Sequence, residues 1–121
     1  MPTEPETPTV FEVVQRAADV CDPQGEQLEV GELLGRFEDR DEPITALEDP
    51  EAELAEGAAL DEDLAGPAEL MTVAVATYLA HRRDEMDGDR EELLRLAARA
   101  EFAGDPPAPV RDWLAAEGVA V

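Results

Sequence analysis

Apolar residues along this chain recur at helical rather than alternating intervals. Val10, Val13, Val14 and Ala17 fall at i, i+3, i+4 and i+7, and Cys21 continues the stripe, while Glu12, Gln15, Arg16 and Asp19 occupy the opposite face. Thr9 stands where an N-cap is needed, and Asp22-Pro23-Gln24-Gly25 supplies the turn chemistry that stops this first helix. Val30, Leu33, Leu34 and Phe37 predict a second helix ending near Asp39, ahead of Pro43. Gly31 and Gly35 lie four apart within it. Each costs up to about 1 kcal/mol of helix propensity, so the pair is expected to permit a close helix–helix approach.

The strongest element begins at Pro67. Pro67 at N1 and Glu69 at N3 open a helix over roughly 67–85, with Arg82 and Arg83 in the last turn, where cations suit the helix dipole. Leu70, Met71, Val73, Val75, Tyr78 and Leu79 point in nearly every direction around its axis, the pattern of a helix buried on all sides. Gly88 then breaks the chain, and Asp89 with Glu92 reads as a capping box. Leu93, Leu94, Leu96, Ala97, Ala100 and Phe102 carry the next helix to Gly104, ahead of Pro106-Pro107. A last short helix opens at Pro109 with Val110, Trp113 and Leu114 on one face, before Gly118. Phe11, Phe37, Tyr78, Phe102 and Trp113 fall one to a helix and are expected to anchor each helix in a common core.

These elements predict an all-α fold: one compact domain, 9–121, of about five helices around a central apolar helix, behind a flexible tail at 1–8 with three prolines and two glutamates. No alternating strand pattern and no internal repeat competes with it. The 121 residues suit one domain. Surface scaling leaves roughly 6,400 Å² exposed out of about 19,000 Å² for the extended chain, enough burial for a real core. Periodicity is weakest over 41–66. There Asp49-Pro50 is a good helix start but Gly57 interrupts, so a short helix and irregular chain are expected, tacked down by Leu47, Leu54, Leu60 and Leu64.

Charge narrows the partners. The chain has no lysine and no serine, and its 31 Asp+Glu face nine arginines for a formal net charge of −22. No lysine or arginine occurs between Asp41 and His81. The acidic residues there include Asp41, Glu42, Glu48, Asp49, Glu51, Glu53 and Glu56, the candidate interaction set, followed by Asp61, Glu62, Asp63 and Glu69. Nucleic-acid binding draws on counterion release by basic side chains, so direct contact with nucleic acid is not expected. Anionic membrane surfaces are disfavoured on the same ground. Basic protein surfaces and divalent cations are the natural electrostatic partners. High-GC codon usage accounts for the missing lysine but not for the excess acid. Adaptation to concentrated salt and a role in binding are the two other sources of it.

Residues 1–8 show no basic n-region and no apolar run, and the apolar stretch Leu70–Ala80 is too short to span a bilayer. The single Cys21 allows no intramolecular disulfide. A cytoplasmic location is the expectation.

Candidate chemistry is sparse. His81, the one histidine, shares a helix face with Leu70, Ala74 and Thr77, and Glu85 lies one turn on, the arrangement of a pH switch or general base. A helix-end histidine with a surface carboxylate explains the same residues more simply. Cys21 continues an apolar stripe and reads as a small hydrophobe rather than a nucleophile. A bundle di-metal centre needs a second histidine, and a zinc site needs ligands the chain lacks. Placing Gly88 at position 6 of a calcium loop puts Arg83 at position 1 and Leu94 at position 12, so that motif fails. No phosphate-binding glycine motif occurs, and no lysine is present for a Schiff base. The expectation is a non-catalytic acidic helical protein, without cofactor or metal, acting through protein–protein contact, with a homodimer compatible. One alternative is an acidic inhibitor or nucleic-acid mimic occupying a basic site, as an antitoxin does. Another, of a different class, is an enzyme or small-ligand binder with a pocket near Tyr78, His81 and Glu85.

Overall fold

The computed structural model describes residues 7–60, 65–82, 88–103 and 105–119. Six α-helices occur among them: α1 (Val10–Cys21), α2 (Leu28–Gly35), α3 (Pro50–Ala58), α4 (Pro67–His81), α5 (Arg90–Phe102) and α6 (Ala108–Ala116). A single 3-10 turn, Ile44–Ala46, precedes α3. The architecture is all-α, and the described residues contain no strand beyond one isolated bridge between Thr9 and Pro43.

Helix α4 is the hub and packs against each of the other five helices. Met71, Val75 and Leu79 are completely enclosed, while Ala68, Ala74, Ala76 and Ala80 are the small buried positions that let neighbours approach its backbone. Thr72, also fully buried, donates its hydroxyl to Ala68 O at 2.7 Å, which satisfies that polar group inside the core. The helix ends at His81, with Arg82 already non-helical and its N–H donating to Tyr78 O at 2.9 Å. It is therefore shorter than the expected 67–85. After Ala80 the sequence turns polar, and a helix held by packing stops where its apolar contacts stop. Arg83 and Glu85 lie outside the described residues.

The caps follow local chemistry. Thr9 and Glu12 form a reciprocal box, with Glu12 N–H donating to Thr9 Oγ1 at 3.1 Å and Thr9 N–H to Glu12 Oε1 at 3.2 Å. Glu92 N–H donates to Asp89 Oδ2 at 3.2 Å, and Gly66 N–H to Glu69 Oε1 at 3.1 Å. The start of α1 is fixed further by the chain ahead of the 3-10 turn. Val10 N–H donates to Glu42 O, Phe11 N–H to Arg40 O, and Ile44 N–H to Pro8 O at 2.8 Å. Pro8 is thereby part of the body and not of a tail; residues 1–6 lie outside the described set.

Two expectations change. Gly31 and Gly35 make no close approach, because a Cβ at either would meet nothing within 4 Å. The glycine that matters sterically is Gly57, inside α3, where a Cβ would fall 2.7 Å from Phe37 Cε1. Second, the aromatics do not form a common core. Phe37, in the turn after α2, is the one fully buried ring, and Phe11, Tyr78, Phe102 and Trp113 sit half-buried at the margin of an aliphatic core. The small residues that bring helices close to α4 leave no room for rings at the centre. The acidic stretch holds the expected short helix, α3, preceded by the 3-10 turn and irregular chain. Ile44, Leu47, Leu54 and Ala58 are all buried and Leu60 packs against them, with Leu64 outside the described residues.

Candidate functional site

The feature with room for a partner is a groove floored by α4 and walled by α3 and α5. Its larger hollow, about 450 Å³, is bordered by Ala55 and Ala58 of α3, Leu70 and Val73 of α4, and Glu101 and Phe102 of α5. A second hollow of about 270 Å³ continues along α4 past Ala74, Thr77, Tyr78 and His81 to Arg82, with Glu51 on the α3 side. Glu101 borders both hollows. The groove exists because the facing residues of α3 are alanines, whose methyl groups cannot bridge the space to α5. Leu70, Val73, Thr77 and His81 step along α4 at helical spacing, so the floor runs for about 16 Å at 1.5 Å per residue.

Electrostatically the groove is mixed, with Glu51, Glu101 and Arg82 all bordering the smaller hollow. Glu101 carries a pKa raised above the ordinary glutamate value, first by partial burial of its carboxyl and then by the like charge of Glu51.

The seven acidic candidates do not act as one cluster. Asp41, Glu48, Glu51 and Glu56 are exposed. Asp49 caps α3, accepting from Ala52 N–H at 3.3 Å while its own N–H donates to Glu53 Oε2 at 3.2 Å. Glu42 is bound by the Arg40 guanidinium, whose hydrogen bond holds its carboxyl below the usual range. Three of the seven thus serve the fold, and of the four exposed ones Glu51 alone borders the groove hollows. Tyr78 and His81 do line one hollow together, as their spacing predicts, with His81 exposed and Tyr78 half-buried. Glu85 lies outside the described residues.

Three arginines donate to main-chain carbonyls. Arg36 donates to Ala58 O at the end of α3, Arg90 Nε to Val20 O near the end of α1 at 2.6 Å, and Arg16 Nη2 to Gly88 O at 3.0 Å. Arg36 and Arg90 thereby meet carbonyls at helix C-terminal ends, where cations suit the dipole, while Arg90 also pairs with Glu117 at 3.2 Å and Arg111 with Asp105 at 2.9 Å.

Cys21 is buried against α4, and burial pushes its thiol up to about 12, with a hydrogen bond to Thr72 acting in the other direction. A thiol so placed stays protonated and out of reach at neutral pH. Among the described residues no group of three or more His, Cys, Asp or Glu side chains is arranged to hold a metal ion. No described helix is long and apolar enough to cross a membrane.

Sequence reasoning had no reason to single out Glu101, Ala55 or Ala58. The available signal was the alanine spacing of 55 and 58 in a helix also carrying Glu51, which marks a wall too thin to close on its neighbour. No protein-family model, curated protein or solved structure matches the chain.

Proposed function

We propose that this protein acts by binding rather than by catalysis, and that its α3–α4–α5 face receives a basic, partly apolar surface of a partner protein. The observation that supports this most is the division of labour among charges. Arg16, Arg36 and Arg90 donate to main-chain carbonyls, and Arg40 and Arg111 pair with Glu42 and Asp105, while Asp41, Glu48, Glu51 and Glu56 stand exposed on and beside α3. A field of one sign next to an apolar groove attracts cationic partners and accelerates their encounter. An acidic inhibitor that occupies a basic site is one form this activity takes. The buried, protonated Cys21 supplies no activated nucleophile. A single thiol without a disulfide partner suits a reducing compartment, and the cytoplasm is the setting we assign. Self-association is opposed by −22 on each copy at low salt.

A small-ligand reading draws on the hollow at Tyr78 and His81. At about 270 Å³ it lies below the roughly 300–1,000 Å³ usual for such sites, so the protein-binding reading is preferred.

The test compares two charge-neutralised variants that each lose four carboxylates. One changes Asp41→Asn with Glu48, Glu51 and Glu56→Gln, and the other changes Glu26, Glu29, Glu32 and Glu38→Gln around α2. Asp49 and Glu53 are left alone because they cap α3. Affinity for a small lysine-rich protein should fall markedly more in the first variant than in the second. Equal losses would mean that only net charge matters and would remove the face from the proposal.

A further inference from the structure

The outer face of α5 is a surface separate from the groove. Leu93, Leu94, Ala97 and Ala98 bury the inner side of this helix, which meets the body through α4 and α1. The opposite side, read at i, i+3, i+4 and i+7, carries Glu92, Arg95, Leu96 and Arg99. None of these four borders either hollow. Glu92 and Arg99 are exposed, and Arg95 and Leu96 are half-buried. Among the described residues Arg95 and Arg99 make no hydrogen bond or ion pair, whereas each of the other described arginines has a partner. Leu96 is half-buried without being one of the apolar residues that pack on the core. The helix dipole accounts for acid near the start of α5 and arginine towards its end. It does not account for two unpaired arginines in a chain with 31 acids, nor for a leucine set between them.

The order of charges selects the occupant. An acidic partner would match Arg95 and Arg99 but would meet Asp89, Glu91 and Glu92 with like charge, and a basic partner would do the reverse. A second α5 laid antiparallel matches both halves at once. With a two-fold axis between Arg95 and Leu96, each Glu92 faces the other copy's Arg99, and each Leu96 lies against the aliphatic stem of the other copy's Arg95. A parallel arrangement would set Glu92 on Glu92 and Arg99 on Arg99. We infer that a second copy of this chain docks on the outer face of α5, helix against antiparallel helix, through two reciprocal Glu92–Arg99 pairs on either side of Leu96. The 13 residues of α5 provide a contact about 20 Å long. One such helix pair belongs with the weak interfaces that bury less than about 1,200 Å². The charge of −22 on each copy sets the condition for this contact. Its repulsion reaches about 30 Å in 0.01 M salt but only about 8 Å at physiological ionic strength. The dimer therefore forms at physiological salt and dissociates in dilute buffer.

Sedimentation equilibrium of the full chain at the two salt concentrations tests this, with the single charge reversals Glu92→Arg and Arg99→Glu. Both positions are exposed, and circular dichroism checks that the variants fold. Each reversal alone puts like charges across the axis and should weaken dimerisation at least about tenfold. An equimolar mixture of the two variants restores opposite charges and should recover the dimer as a mixed pair. Glu92→Arg separates this pairing from net charge. It makes the chain less negative, so relief of repulsion alone would tighten the dimer, whereas the pairing requires it to weaken. A chain that stays monomeric at about 1 mM in physiological salt would overturn the proposal. So would a dimer indifferent to both reversals, a dimer tightened by Glu92→Arg, or a mixture that fails to associate.

Discussion

Substituting Gly57 by alanine should destabilise the protein, although the same change elsewhere in its helices should stabilise it. In a helix interior Gly→Ala ordinarily gains about 0.5–1 kcal/mol. At Gly57 the new Cβ would lie 2.7 Å from Phe37 Cε1 and 2.8 Å from Phe37 Cζ, inside the separation at which carbon atoms attract. Phe37 is 2 % exposed, so its ring has no free space to swing into. Overpacking of this kind costs about 1–3 kcal/mol. The net expectation is a loss of up to about 2 kcal/mol for Gly57→Ala, against a gain of about 0.5–1 kcal/mol for Gly31→Ala, where nothing lies within 4 Å. Urea unfolding at fixed ionic strength measures both without confusing packing with charge screening. A Phe37→Leu background removes the ring atoms concerned, and there the Gly57→Ala penalty should vanish, giving a coupling of about 1–3 kcal/mol. Should Gly57→Ala stabilise as much as Gly31→Ala in both backgrounds, the ring does not pack on α3. The docking of α3 that builds one wall of the groove would then be wrong.

Other consequences concern single groups. Ala59 holds a left-handed conformation at φ 50 after α3, which costs an L-residue about 1–2 kcal/mol, so Ala59→Gly should raise the unfolding midpoint despite the added chain entropy of glycine. Cys21 titrates near 9.0 when exposed and about 12 in the fold. The unfolded chain therefore loses its thiol proton first, so stability should hold below the lower value and decline as pH rises between the two. Cys21→Ala should abolish that alkaline slope, and thiol reagents should react with the native protein only as fast as it opens. Glu101, whose pKa is raised, weakens the fold above its folded pKa, and this effect disappears as pH falls below the unfolded value. Glu101→Gln should thus be mildly stabilising at neutral pH and neutral in effect near pH ~4, as thermal unfolding at the two pH values would show.

The fold was legible where one physical signal dominated. The uniformly apolar sequence of 70–80 identifies the hub because a helix without a polar face has nowhere to sit but the centre. Thr9 with Glu12 locates the start of α1, since the cap is made by residues three apart. The extent of α4 was less legible, as dipole-favourable arginines suggest a longer helix than the available packing sustains. Glycines 31 and 35 were misleading because a sequence pattern of small residues does not say whether anything faces it. Gly57 reads as a helix breaker, and only the position of Phe37, brought up from the turn after α2, explains it. The groove was illegible for the same reason. It is defined by what three helices fail to fill, and Glu101 matters through its neighbour Glu51 on another helix. Of the acidic candidates, sequence could not separate Asp49 and Glu53, which cap α3, from Glu48 and Glu51, which do not.

The most direct test of the binding face is an amide chemical-shift titration of the isotope-labelled protein with the small lysine-rich protein. The account predicts shifts concentrated at Glu51, Ala55, Val73, Tyr78, Glu101 and Phe102, with the exposed glutamates of α2 little changed. Shifts of similar size at Glu29, Glu32 and Glu38 would show a partner spread over the whole acidic surface, and the groove would have no special claim to it.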